Sequence, residues 1–146
     1  MDKSDIIESL NDLIQITEDS HDGYRRSAED AKDSDIQSLF RDLSTQRESM
    51  VRELQDLVAQ LGGQPTDSGT MLAGAHRFFV DLKSAVTGQD REAILREVER
   101  GESEAIRRHE NVLSQPLPAD IAAIVRRHLD RFQADRNRMT ALKRAA

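Results

Sequence analysis

Residues 34–63 read SDIQSLFRDLSTQRESMVRELQDLVAQLGG, and this segment decides the fold. Its apolar side chains recur at the spacing of an α-helix that buries one face. They are Ile36, Leu39, Phe40, Leu43, Met50, Leu54, Leu57 and Leu61. Ser34 is the predicted N-cap, with Gln37 completing a capping box, and Gly62 can take the left-handed conformation that ends a helix. The segment therefore predicts one long amphipathic helix over about residues 35–61.

The same period continues on both sides of this segment. It predicts further helices at about 4–32, 71–86, 90–113 and 118–144. The one long loop, GGQPTDSGT at 62–70, is rich in helix-breaking residues. Because the helices account for almost the whole chain, we expect a single domain over residues 1–146.

The connections predict the topology. A short turn joins the first two long helices, so they must lie antiparallel. A long helix spans roughly 40 Å, a length that loop 62–70 and the short helix together can cover. We therefore expect an all-α fold, an antiparallel four-helix bundle of ferritin-like topology. Its short extra helix lies in the long crossover between bundle helices 2 and 3.

The composition excludes several classes of function. The chain has no cysteine, which rules out disulfides and thiolate metal sites, and its net charge of −6 argues against a general nucleic-acid binder. The first residues, MDKSDIIESL, are too charged for a signal peptide, and no segment approaches ~20 apolar residues. We expect a cytoplasmic protein that binds neither nucleic acid nor membrane.

Polar residues interrupt the seam of each long helix, meaning the row of inward-facing positions. Thr17, Arg47, Glu102 and Asp135 lie near mid-helix, and the predicted topology places them on one level. Guanidinium is always charged, and its donors match carboxylate oxygens. Since an unpaired buried charge is costly, we predict a buried polar core in which Arg47 pairs with both acids.

A secondary polar layer is predicted at His109 and His128, two turns along the bundle. Seam histidines usually hydrogen-bond each other, a backbone carbonyl or a water. The alternative is a two-histidine transition-metal site, although two ligands make a poor site. Tyr24 is interpreted as a core residue whose hydroxyl is satisfied.

Three segments carry a resemblance to a known family: LGGQP at 61–65, SAVTGQDREAIL at 84–95 and ERGESEA at 99–105. With the order of the helices, they make the chain similar to a bacterial ferritin-like four-helix-bundle family of unknown function, within the ferritin and rubrerythrin superfamily. The resemblance covers almost the whole chain. It implies the fold, and an association with stress is expected of such relatives.

The resemblance also implies where metal ligands would lie. Rubrerythrin-like bundles hold two metals with one carboxylate and one Glu-x-x-His pair from each half. Those positions fall at Thr17, Arg47, Met50, Glu102, Asp135 and Arg138. Only Glu102 and Asp135 can still bind a hard or borderline cation. We expect a degenerate metal site without a cofactor, in which Arg47 replaces the metals electrostatically.

Two functions follow as hypotheses. The preferred one is a non-catalytic, structural or partner-binding protein that has no catalytic residues and binds an unknown protein partner. The alternative is a metal-binding ferritin-like oxidase or iron-handling protein that uses iron or manganese. Its ligands would be Glu102, Asp135, Glu18 and His21. Glu18 and His21 form the Glu-x-x-His pair of the first helix. If they bind no metal, they are interpreted as a solvated pair.

A possible contact between subunits is predicted on the short helix. Phe78 and Phe79 are adjacent, so they cannot both point to one narrow face. One would cover the bundle and the other would contact a second copy of the chain, giving a homo-oligomer. A monomer in which both pack inward is the alternative.

Overall fold

A computed structural model describes residues 1–66, 77–88 and 90–145, with residues 77–81 described by their backbone alone. This part of the chain is all-α, with five helices and no strand. The helices are α1 (Lys3–Asp30), α2 (Ser34–Gln60), α3 (Arg77–Gly88), α4 (Arg91–Leu113) and α5 (Ala119–Ala145). The part of the predicted short helix at 71–76 lies outside the described residues, as do the side chains of Phe78 and Phe79.

Side-chain caps explain where two of the helices begin. Asp2 accepts a hydrogen bond from Asp5 N at 2.8 Å ahead of α1, and Asp90 accepts one from Glu92 N at 3.1 Å ahead of α4. These bonds satisfy backbone donors that have no partner within the first turn of a helix.

The capping box predicted for α2 is wrong. The N-cap residue is Asp33, which makes no side-chain capping bond. Gln37 Nε2 instead donates to Ala28 O at 2.9 Å. Ala28 lies in the last turn of α1, where backbone carbonyls have no partner within the helix. The Gln37 side chain therefore bonds this carbonyl instead of capping its own helix. Only the packing of α1 against α2 brings this acceptor within reach.

The end of α2 is docked onto α1. Gly62 has φ of 81°, the left-handed conformation predicted for it. A Cβ atom on Gly63 would lie 2.7 Å from Ile7 Cδ1, so any larger residue there would force the Ile7 side chain to shift. Asn11 of α1 then donates to Gln64 O at 3.1 Å. These contacts hold the residues that directly follow α2 against α1.

Hydrogen bonds give the direction of each hairpin. Along α2, Gln37 bonds Ala28 and Arg47 bonds Ser20, so the position in α1 falls as that in α2 rises. The two helices are therefore antiparallel.

The second hairpin is antiparallel by the same criterion. Arg136 of α5 bonds Ser103 of α4, and Thr140 of α5 bonds Glu99 of α4. The positions again run in opposite order along the two helices.

The two hairpins are related by contacts between α2 and α4. Arg91 pairs with Asp35 near the start of both helices, and Arg47 pairs with Glu102 near the middle of both. α2 and α4 therefore run in the same direction. The connection between them must return along their length, and α3, which belongs to it, packs against α1 and α4.

Apolar clusters lie toward the two ends of the long helices, with a smaller one between. One end cluster joins α3 to the other helices through Leu82 and Val86, which pack with Tyr24, Phe40 and Leu95. The other is built on residues such as Leu10, Leu54 and Val125. Polar side chains are buried between these ends. None of the helices in the described ranges has an apolar stretch long enough to cross a bilayer.

Candidate functional site

Arg47 lies in the middle of α2, and its side chain is 0% exposed. Its Nη2 donates to Glu102 Oε2 at 2.7 Å. The same nitrogen lies 2.9 Å from Asp135 Oδ2, an ion pair whose angle falls short of a hydrogen bond. Arg47, Glu102 and Asp135 form what we call the central layer, which ties α2 to α4 and α5.

The other guanidinium nitrogens also make contacts inside the protein. Arg47 Nε donates to Ser20 Oγ at 3.2 Å, and Nη1 lies 3.7 Å from Met50 Sδ. Its Cζ atom is 4.2 Å from the centroid of the Phe132 ring, a cation–π contact. Sequence reasoning missed Ser20, although its position three residues after Thr17 puts both on one helix face.

Glu102 is held by a second donor. The Tyr24 hydroxyl donates to its Oε1 atom, and both side chains are buried. Burial raises the pKa of Glu102 above its usual range, although Arg47 opposes the shift. Burial also raises the pKa of Tyr24, with Glu102 adding to the effect, so the phenol stays protonated. Burial opposes ionisation of Arg47, but the Glu102 carboxylate raises its pKa overall, so Arg47 remains charged.

A second arginine approaches Asp135. Arg131 Nε, one helical turn earlier on α5, lies 3.4 Å from Asp135 Oδ2 and reaches it from the exposed side of the helix. Two carboxylates thus face two cations, which balances their charge. The spacing of four residues on one helix was the available sequence signal.

Thr17 is also fully buried, but the hydrogen bond that the structure describes for it joins two residues of α1. The hydroxyl donates to Leu13 O at 2.7 Å. A threonine in a helix often satisfies its hydroxyl in this way, so it need not take part in a polar network between helices.

The two buried histidines are bonded separately. Their ring centroids are 6.5 Å apart, too far for a direct hydrogen bond between the rings. His109 Nδ1 lies 2.7 Å from Ala105 O, and His128 Nε2 lies 2.6 Å from Glu53 Oε1. Burial lowers the pKa of His109 to about 4 and lowers that of His128 as well. Both imidazoles are therefore neutral at neutral pH.

The structure groups Glu18 and His21 with Asp22 rather than with Glu102 and Asp135. Glu18 follows Thr17 by one residue, a rotation of about 100° around the helix, so it cannot share the inward direction. Among described residues, the one group of three whose ligand atoms all lie within 4.8 Å of one another is Glu18, His21 and Asp22. The four ligands of the alternative hypothesis are thus divided between two places.

A family model described as Domain of unknown function (DUF2383) matches residues 5–115, well over half of the chain. The chain belongs to this family. The DUF2383 match spans α1 to α4 and includes Arg47 and Glu102, whereas Asp135 lies beyond its end. No curated protein matches the chain significantly.

In this DUF2383 protein, the six positions that the resemblance marks as metal ligands do not all face the interior. Thr17, Arg47, Met50, Glu102 and Asp135 are buried. Arg138 is exposed. It follows Asp135 by three residues, and the buried position in that turn of α5 is Met139 instead.

Proposed function

We propose that this protein is a non-catalytic, ferritin-like four-helix bundle in which Arg47 occupies the place of the two metal ions of metal-binding relatives. One observation carries the proposal. A fully buried guanidinium lies within ion-pair distance of both remaining carboxylates, Glu102 and Asp135.

The directions of the helices support the ferritin-like part of this proposal. Two antiparallel hairpins joined so that α2 and α4 run in parallel need one connection that travels the length of the bundle. The contacts of α3 with α1 and α4 are those expected of a helix in that connection. We propose that residues 1–146 make up one such domain.

Electrostatics support the loss of metal chemistry. A divalent ion between Glu102 and Asp135 would meet a fixed positive charge within a few ångströms in a medium of low dielectric constant. It would also have to displace the two donors that Glu102 already accepts, Arg47 and Tyr24. Arg47 cannot lose its proton at any ordinary pH, so the repulsion does not titrate away.

The proposed role therefore lies at the surface. Because the charges of the central layer are engaged with one another, the protein is proposed to bind a protein partner in the cytoplasm, in the stress-associated setting that its resemblance implies. Self-association through Phe78 and Phe79 of α3 is part of this proposal.

Metal analysis tests the proposal directly. The protein is purified without chelator, and its iron and manganese are measured by mass spectrometry alongside Glu102→Gln and the control Glu104→Gln, an exposed acid on the same helix. We expect the same content in all three. About one or more equivalents of iron or manganese, lost in Glu102→Gln and retained in Glu104→Gln, would overturn the proposal.

Restoring the missing metal ligands is a second test of the ferritin-like interpretation. A variant with Thr17→Glu, Arg47→Glu and Met50→His restores three ligands beside Glu102 and Asp135. We expect its melting temperature to rise with added Co²⁺ by several degrees more than that of wild type. A folded variant, judged by circular dichroism, whose Co²⁺-induced rise in melting temperature is no larger than that of wild type would show that these positions do not converge on a metal.

A further inference from the structure

We propose that Glu18, His21 and Asp22 of α1, which we call the His21 cluster, bind a divalent transition-metal ion of the zinc type at the protein surface. Glu48 of α2 acts as the outer partner of His21. This site is separate from the central layer and independent of the function proposed above.

The spacing of the ligand atoms fits a tetrahedral ion. Zinc bonds of about 2.0–2.2 Å to nitrogen and oxygen place neighbouring ligand atoms about 3.3 Å apart. Glu18 Oε1 lies 3.3 Å from His21 Nδ1, and Asp22 Oδ1 lies 3.9 Å from the same nitrogen. A small rotation of the Asp22 side chain closes the remaining gap, and water can fill the fourth position.

The second ring nitrogen of His21 faces another carboxylate. His21 Nε2 lies 3.9 Å from Glu48 Oε2. Histidines that bind metals generally donate their other N–H to a carboxylate or a carbonyl, which orients the ring and fixes the tautomer. Drawing Glu48 about 1 Å closer gives that arrangement, with the Nδ1 lone pair directed toward Glu18 and Asp22.

The helix pre-orients the three ligands. Residues at i, i+3 and i+4 share one face of a helix, so Glu18, His21 and Asp22 converge without a loop. The backbone there is tied to α2, because Ser44 Oγ donates to His21 O at 3.4 Å. The three side chains are only 15–16% exposed, partly dehydrated yet open to an ion from solution.

The present partners of the carboxylates can be displaced. Arg25 lies 3.5 Å from Asp22, and Arg52 lies 2.5 Å from Glu48. Their side chains are 50% and 72% exposed, and such surface pairs contribute little free energy. Losing them for a metal ion therefore costs far less than displacing Arg47 from the central layer would.

Protons compete with the metal at His21. The hydrogen bond to Glu18 raises the pKa of His21, and the charges of Glu18, Asp22 and Glu48 act in the same direction. Because the ligand nitrogen must be deprotonated, affinity increases with pH through the range in which His21 titrates.

Calorimetric titration of Zn²⁺ into the tag-free full chain at pH 7.5 tests the proposal. We expect one Zn²⁺ per chain, bound at least tenfold more weakly by His21→Asn and by Glu18→Gln. Glu48→Gln should lose roughly tenfold, as is usual for outer partners. The controls are His76→Asn, which removes a histidine outside the cluster, and Glu29→Gln, which removes an exposed acid from the same helix; both should bind like wild type.

The outcomes separate this site from the central layer. Binding that survives His21→Asn but disappears in Glu102→Gln would overturn both the site and the proposed function. Binding lost in His76→Asn and kept in His21→Asn, or absent from wild type, would overturn the site and leave the function of the central layer as proposed.

Discussion

The central layer and the His21 cluster both combine carboxylates with a cation, but they differ in the cation and in its burial. In the central layer the cation is Arg47, which is always charged and fully buried. In the His21 cluster it is His21, which titrates and is partly open to solvent. The charge of Arg47 is permanent and buried, so a metal ion cannot take its place. His21 can lose its proton and then bind a metal ion through the free nitrogen. The comparison predicts large stability effects in the central layer and small ones in the cluster.

Removing Arg47 should have the largest effect. Arg47→Ala leaves Glu102 and Asp135 buried without their main counter-charge, and we expect a loss of about 3–5 kcal/mol in the free energy of unfolding. Urea denaturation at pH 7 measures it. Arg41→Ala, at an exposed position of the same helix, should change stability by no more than about 0.5 kcal/mol. An Arg47→Ala variant as stable as Arg41→Ala would contradict a buried ion pair.

Replacing the whole central layer should restore much of that loss. Arg47→Met, Glu102→Leu and Asp135→Leu remove the three buried charges at once and leave only the exposed Arg131. Tyr24→Phe removes the hydroxyl that would lose its acceptor. Buried ion pairs replaced by well-packed apolar residues are often neutral or more stable. We expect this variant to unfold at a higher urea concentration than Arg47→Ala. A variant less stable than Arg47→Ala would mean that the layer contributes more than charge compensation.

His109 should make stability fall with acid. Its pKa is lowered to about 4 in the folded protein, against about 6.5 when unfolded, so its contribution is complete above pH 6.5 and is lost as pH falls toward 4. The shift corresponds to about 3 kcal/mol between pH 7 and pH 4. Denaturation of wild type and His109→Gln across this range isolates the effect, because other groups, including Glu102 with its raised pKa, remain in both proteins.

His21 provides the matched control of opposite sign. Its raised pKa means that it stabilises the fold at low pH and loses that contribution as pH rises through its folded-state pKa. His21→Gln should therefore weaken the protein more at pH 5 than at pH 8. Equal pH profiles for His109→Gln and His21→Gln would contradict the contrast between the buried histidine and the accessible one.

The hydrogen bond from Tyr24 to Glu102 should have an intermediate effect. Tyr24→Phe removes a buried donor to a charged acceptor, and such bonds contribute about 1.5–3 kcal/mol. We expect a loss in this range by urea denaturation at pH 7, below that of Arg47→Ala. A loss equal to that of Arg47→Ala would show that the phenol, rather than the guanidinium, compensates Glu102.

The smallest effect is expected in the His21 cluster. Glu18→Gln removes a partly exposed pair, so stability without metal should change by about 1 kcal/mol or less. With excess Zn²⁺ the melting temperature of wild type should rise, and that of Glu18→Gln should rise less at the same Zn²⁺ concentration. A Glu18→Gln protein that gains the full Zn²⁺ shift in thermal denaturation would exclude Glu18 as a ligand.

The amino-acid sequence predicted much of the helical framework but little of the side-chain pairing. Periodic apolar residues predicted the helices, since a face buried along α2 must repeat every turn. Arg131 and Ser20 were missed as partners in the central layer, because each lies in sequence among many charged or polar residues of equal spacing. Gln37 was assigned to its own helix terminus, although its acceptor is Ala28 on α1. The partner of such a polar side chain depends on which helix packs against its own.

By itself, the sequence determined the all-α class, the polar interruptions of the seams and the presence of one permanent cation, Arg47, among them. These properties are local, since helical period and side-chain charge do not depend on distant residues. Only the tertiary structure decided that Arg47 meets Glu102 and Asp135 in one layer while Glu18 and His21 point elsewhere. A rotation of about 100° between neighbouring helix positions separates interior from surface, and packing between helices selects which position turns inward.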